Sequence, residues 1–204
     1  MNRKIIIIDD RQDRDKPNLT TDSQNKLDEL CKEGNLVISL GLDKSLPLDS
    51  SLSDFSLIAV HRTYLVNNDL FNAVLDYIKK SGKYLIIFSG GIGQNTILQS
   101  GHLLGVDASE FYSDKLPSFL DEYSRTDMQH PLLKYMYGQA WRLTLLLEYR
   151  YYLWNYDDID DIDNDDEADR AEKLHKLLWD DGSDVSIESV NEEICKEINK
   201  KTNL

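Results

Sequence analysis

Cysteine is nearly absent from this chain: Cys31 and Cys195 are the only two, and no CxxC spacing occurs. That excludes a disulfide framework and a cysteine-built zinc site, and it fits a reducing compartment. Positive charge is also short, with 23 Lys and Arg against 37 Asp and Glu and a net charge of −14. Such a chain has no bulk attraction for nucleic acid or an anionic membrane, so neither is an expected partner. No apolar run approaches the roughly 20 residues needed to cross a bilayer. The opening residues MNRK run directly into a strand and two aspartates, without the apolar stretch and small-residue cleavage site of a signal peptide. The expected location is therefore cytoplasmic. What is present is a 204-residue chain, 41% hydrophobic, enough for one packed domain and a further helical region. There is no internal repeat.

Ser56 to Ser89 shows the organisation best: an apolar strand, a helical repeat and a second apolar strand. Continuous apolar strands joined by a helix are the mark of a parallel sheet covered on both faces. Lys4 to Ile8, with four consecutive isoleucines, reads as a central strand ending at Asp9-Asp10. Thr20 or Thr21 caps a helix that stops at Gly34, and Asn35 to Leu40 is a second strand. Residues 41–53 have no clear period and read as loop or a poor helix. Phe55 to Val60 is the third strand, and Asn67-Asn68-Asp69 caps a helix ended by Ser81-Gly82. Tyr84 to Phe88 is the fourth strand. A glycine-rich turn leads to a helix over Thr96 to Leu104, Glu110 to Ser113 is a short fifth strand, and Pro117 marks the first turn of a helix through Tyr123. The expectation is a doubly wound, five-stranded parallel α/β domain over 1–126.

An α-helical extension follows over 127–204. Its long helix runs from His130-Pro131 to about Tyr156 and precedes an acidic loop at 157–169, in which nine of thirteen residues are acidic and none is basic. Helices near 167–179 and 185–199 close the chain. The long helix carries more aromatics than one side buries easily, with arginines interleaved. Trp141, Arg142, Tyr149, Arg150, Tyr152 and Trp154 are therefore expected to serve a protein partner or self-association.

Chemistry in an open parallel sheet gathers at the carboxyl ends of the strands. Asp9, Asp10, His61, Ser89 and Lys115 stand at those ends as read. An acidic pair suits a hard divalent cation, and a hydroxyl with a lysine can neutralise a phosphoryl group. The segments IIIIDD, FSLIAVH, YLIIFS and FYSDKLP resemble, in order and spacing, the receiver domain of two-component response regulators over about residues 1–125. The resemblance implies a receiver or flavodoxin-like fold, with an acidic pair after the first strand, an acceptor aspartate after the third, a hydroxyl after the fourth and a lysine after the fifth. This chain departs at the acceptor: His61 stands where the carboxylate belongs, and Leu116 separates the lysine from Pro117. A carboxylate is needed to form the acyl phosphate. The resemblance is thus to a pseudo-receiver with a phosphorylation-incompetent pocket. The expected function is a non-enzymatic regulatory or adaptor protein of a signalling-type system. No cofactor is expected, apart from magnesium as a hard cation that the pair Asp9-Asp10 is suited to hold.

Other readings stand beside it. A divalent-metal-dependent hydrolase or phosphoryl-transfer enzyme could use Asp9 and Asp10. The segment VLDYIKKSGKYLIIFSGG resembles class I glutamine-amidotransferase-like folds, but Ser89 stands where active members carry cysteine, which leaves an inactive relative. Asp161, Asp163, Asp165, Glu167, Asp169 and Glu172 are spaced as a calcium loop, yet Asp166 occupies the position that requires glycine. Arg170 and His175 have the spacing of the motif in HEPN ribonucleases, with Ala171 where a polar residue is usual.

Overall fold

The computed structural model describes residues 3–10, 19–43, 45–93, 95–98, 101–156, 165–179 and 185–202. The polar loop expected at 11–18 and the acidic residues 157–164, Asp161 and Asp163 among them, lie outside these. The chain divides into two compact units, Met1–Tyr135 and Met136–Leu204.

The first unit is an α/β structure around one six-stranded sheet. Its strands are β1 (Ile5–Ile8), β2 (Leu36–Ser39), β3 (Leu57–His61), β4 (Tyr84–Phe88), β5 (Thr96–Leu98) and β6 (Leu103–Val106). They lie in the order β2-β1-β3-β4-β6-β5, parallel throughout except that β5 runs antiparallel to β6. The isoleucines of β1 are at most 4% exposed. Burying each such side chain contributes about 1.5–3 kcal/mol, an upper bound because a denatured chain already hides part of that surface.

Alternation along the strands sends Ile6, Ile8, Ile58, Val60, Leu85 and Ile87 to one face. There they pack with Leu52 of α2 (Leu48–Leu52), Leu65 of α3 (Arg62–Asn67), and Val74 and Ile78 of α4 (Phe71–Ser81). The remaining helices of this unit are α1 (Thr21–Lys32), α5 (Ala108–Phe111), α6 (Lys115–Arg125) and the start of α7 (Pro131–Tyr137); α1 and α6 pack together. Local signals set the helix ends. Thr20 accepts from the Ser23 amide at the start of α1, and Gly82 takes φ +65° to close α4.

The strand count and two elements differ from the sequence expectation. Thr96–Leu98 and Leu103–Val106 are strands and not parts of a helix: Gly101 takes φ +85°, and the two pair antiparallel. The fifth parallel strand is therefore β6, with β5 covering its outer edge. Residues 110–113 are not a strand. Asp107 accepts from the Ser109 amide at 2.8 Å and caps the helical turn α5. The poor helix in 41–53 is α2, and α6 starts at Lys115, with Pro117 still in its first turn.

The helix expected over 130–156 is interrupted at Gly138, which takes φ +74°. It becomes α7, one 3-10 turn at Gly138–Ala140, and α8 (Trp141–Asn155). In the second unit α8 packs against both α9 (Asp165–Leu178) and α10 (Ile187–Thr202). Trp141, Leu145, Leu146, Tyr149, Ala171, Leu174, Val190 and Ile194 are its buried residues of most weight. Arg142 reaches Glu193 at 3.2 Å and Glu197 at 3.6 Å, tying α10 to α8.

Candidate functional site

After β1 the chain crosses to β2 on one side of the sheet, and after β2 it returns to β3 on the other. The gap between the ends of β1 and β3 is therefore the topological switch point, where open α/β sheets hold their ligands. Asp9 and Asp10 follow β1 directly, and His61 is the last residue of β3. The parallel register sets Ile8 beside Val60, so these three side chains are neighbours by construction.

They meet in a compact cluster. The His61 side chain is 5% exposed, and its Nδ1 lies 3.0 Å from Oδ1 of Asp10. A carboxylate only accepts, so Nδ1 carries the proton of this bond. The imidazole lies against Phe88, with ring centroids 5.4 Å apart. Asp9 is buried, and its Oδ2 accepts from the Tyr112 hydroxyl at 2.6 Å. Burial, and after it the Asp9 carboxylate, push ionisation of the Tyr112 phenol far above the usual tyrosine range. One donor atom from each of Asp9, Asp10 and His61 falls within 4.8 Å of the others, the one such group of three among the described residues.

The other two residues expected here make contacts of their own. Ser89 builds the turn after β4: its carbonyl accepts from Ile92 and Ala108, and its hydroxyl from Gly91. Lys115 begins α6, donates to Glu110 at 3.2 Å and stands 4.7 Å over the Tyr135 ring. His61 is buried. Tyr112 was not legible as a site residue, because nothing in FYSDKLP separates a tyrosine that reaches an aspartate from one that fills a core. A cavity of about 300 Å³ beside the ends of β2 and β3 is lined by Leu42, Leu46, Leu48, Tyr64 and Leu70 and contains none of the cluster.

Magnesium requires a near-octahedral shell of oxygens. His61 places a nitrogen beside the two carboxylates, a donor that ion does not select. The residues present do not fit that ion.

The aromatic helix sorts differently from the sequence expectation. Trp141 and Tyr149 are buried, and Tyr149 hydrogen-bonds His175 at 2.9 Å. Arg142 is held by Glu193 and Glu197, and Tyr152 is half-buried. Arg150 lies 5.5 Å over the Trp154 ring. The exposed apolar stripe of α8 is Leu147 at 48%, Tyr151 at 59% and the expected Trp154 at 69%, spaced by one turn each. A core against two helices takes one side of α8, and the outward residues follow from that register alone.

The remaining motifs resolve as structure. Arg170 makes two hydrogen bonds to Glu148, at 2.7 and 2.8 Å, which hold its guanidinium even more firmly protonated than usual. With His175 on Tyr149, both residues of the ribonuclease-like spacing are committed to packing α9 on α8. The last eight positions of the calcium-loop spacing, from Asp165 onward, fall in α9, whose regular turn cannot wrap an ion. No helix among the described residues is long and apolar enough to cross a membrane. No protein-family model, no curated protein and no solved structure matches the chain.

Proposed function

We propose that this chain is a non-enzymatic regulatory or adaptor protein, built on a receiver-like unit that cannot take an aspartyl phosphate and acting through protein–protein contact. The observation that carries this reading is His61, which sits at the carboxyl end of β3 with Nδ1 3.0 Å from Asp10. It faces the acidic pair from the position where an acyl-phosphate-forming carboxylate would have to stand. An imidazole there does not form the acyl phosphate, and one oxygen of Asp9 is already held by Tyr112. The order of the parallel strands, β2-β1-β3-β4-β6, supports a flavodoxin-like winding. The exposed Leu147, Tyr151 and Trp154 supply the kind of surface that partners bind.

The test is exposure of the full chain to acetyl phosphate with magnesium, followed by intact-mass measurement. No phosphoryl adduct is expected, and an adduct on Asp9, Asp10 or His61 would overturn the reading. A second arm measures association by sedimentation and native co-purification for the wild type and for Trp154→Ser. Loss of a stoichiometric partner or of self-association in that variant is the expected result.

A further inference from the structure

The three side chains that misfit magnesium suit a different ion. We propose that Asp9, Asp10 and His61 form a binding site for a first-row transition-metal dication, with zinc the representative. This goes beyond the docking reading, since a partner could be held with or without the ion, and the two fail on different measurements.

The donor set argues for the ion class. Hard cations such as magnesium and calcium select oxygen alone, whereas imidazole nitrogen beside carboxylates favours zinc and its neighbours. Two carboxylates and one histidine make three protein ligands with room for a fourth group from solvent or a partner. Spacing agrees with this. Two ligands on one such ion, at bonds of about 2.1 Å, stand about 3.0–3.4 Å apart. Nδ1 of His61 and Oδ1 of Asp10 are already 3.0 Å apart. With all three donors inside 4.8 Å, the widest gap exceeds that spacing by no more than about 1.4–1.8 Å, a distance that side-chain rotation can cover.

The surroundings are those of a ligand shell held in place. Tyr112 fixes the orientation of Asp9, and Phe88 lies against the imidazole, so two of the three ligands are oriented from behind. Asp9 and His61 are both nearly inaccessible, which keeps their rotamers few. Binding replaces the hydrogen bond between His61 and Asp10. The ion takes the lone pair of Nδ1, and the ring proton is carried on Nε2. No oxidant, reductant or leaving group is involved.

The test titrates chelator-treated full chain with zinc chloride by calorimetry and follows histidine nitrogens by long-range proton–nitrogen NMR. The expected result is one saturable zinc per chain, with a coordination shift at Nδ1 of His61. Affinity should fall at least tenfold in His61→Gln and Asp10→Asn and about tenfold in Tyr112→Phe, as outer-shell changes usually do. A hundredfold excess of magnesium should not displace the ion. The proposal is overturned by absence of saturable binding, by unchanged His61 nitrogens in the wild type on zinc addition, by undiminished binding in His61→Gln, or by equal competition from magnesium. The wild-type nitrogen spectrum decides the question even if a variant fails to fold.

Discussion

Tyr112→Phe removes one atom and one hydrogen bond, which makes it a clean probe of the cluster. The ring of Tyr112 packs edge-on against Phe88 and Phe111, at centroid distances of 5.4 and 4.9 Å, and phenylalanine keeps those contacts. What is lost is the 2.6 Å bond to Oδ2 of Asp9, in a buried setting. A hydrogen bond to a charged group contributes about 1.5–3 kcal/mol, and the buried acceptor left behind keeps the loss near the upper half of that range. For a chain of this size about 1 kcal/mol moves Tm by about 2–4 °C, so a fall of about 4–12 °C is expected. Urea unfolding followed by far-ultraviolet circular dichroism measures the free energy directly. A cycle with Asp9→Asn isolates the pair, with a coupling energy of about 1–2 kcal/mol expected, since the amide oxygen still accepts but without charge. A Tyr112→Phe variant within about 0.5 kcal/mol of the wild type would refute the view that Tyr112 and Asp9 are a coupled buried pair.

Alkaline pH should weaken the first unit in particular. Tyr84, Tyr112, Tyr123 and Tyr135 all ionise above their ordinary value, with burial the first cause in each. The folded state therefore holds these protons more tightly than the unfolded one. Their stabilisation is complete below about pH 10, the unfolded value, and is lost progressively as pH rises beyond it. Thermal melts from pH 8 to 11 check this; a Tm that stays flat above pH 10 would contradict it. In the second unit, Arg170→Met leaves the carboxylate of Glu148 without its two donors and should cost about 1–2 kcal/mol, less than a fully buried pair because both side chains are about a third exposed. The double variant with Glu148→Met should recover part of that loss in a denaturation series. Core and surface aromatics of α8 should separate cleanly. Trp141→Ala costs about 3–5 kcal/mol by cavity formation, while Tyr151→Ser and Trp154→Ser stay within about 0.5 kcal/mol and raise solubility.

Much of the sheet was legible because its strands are unusually pure. Four isoleucines in β1 and the apolar run of β3 can only be covered on both sides, so their parallel pairing and central position follow from solvation alone. Asp9, Asp10 and His61 were legible for the same reason: polar residues that end such strands must emerge at the carboxyl edge. The stretch from Thr96 to Ser113 was misread because its local preferences are balanced. Ile97 and Leu104 stand seven apart, as on a helix, while Leu98 and Leu104 stand six apart, as on one face of a strand, and the choice fell to Gly101 with its left-handed backbone and to the open edge of β6. Phe111 and Tyr112 favour strands by propensity, but the Asp107 cap and a place against Phe88 outweigh it.

The amino-acid sequence by itself determined the parallel α/β core, the helical second part, and the place of Asp9, Asp10 and His61 at the ends of strands. These depend on which side chains avoid water, and that is local information. The tertiary structure alone decided that His61 is buried and turned to Asp10, that Tyr112 closes on Asp9, and which side of α8 faces water. Such contacts join residues 51 and 103 positions apart in the chain, and their geometry exists only once the sheet has set its register.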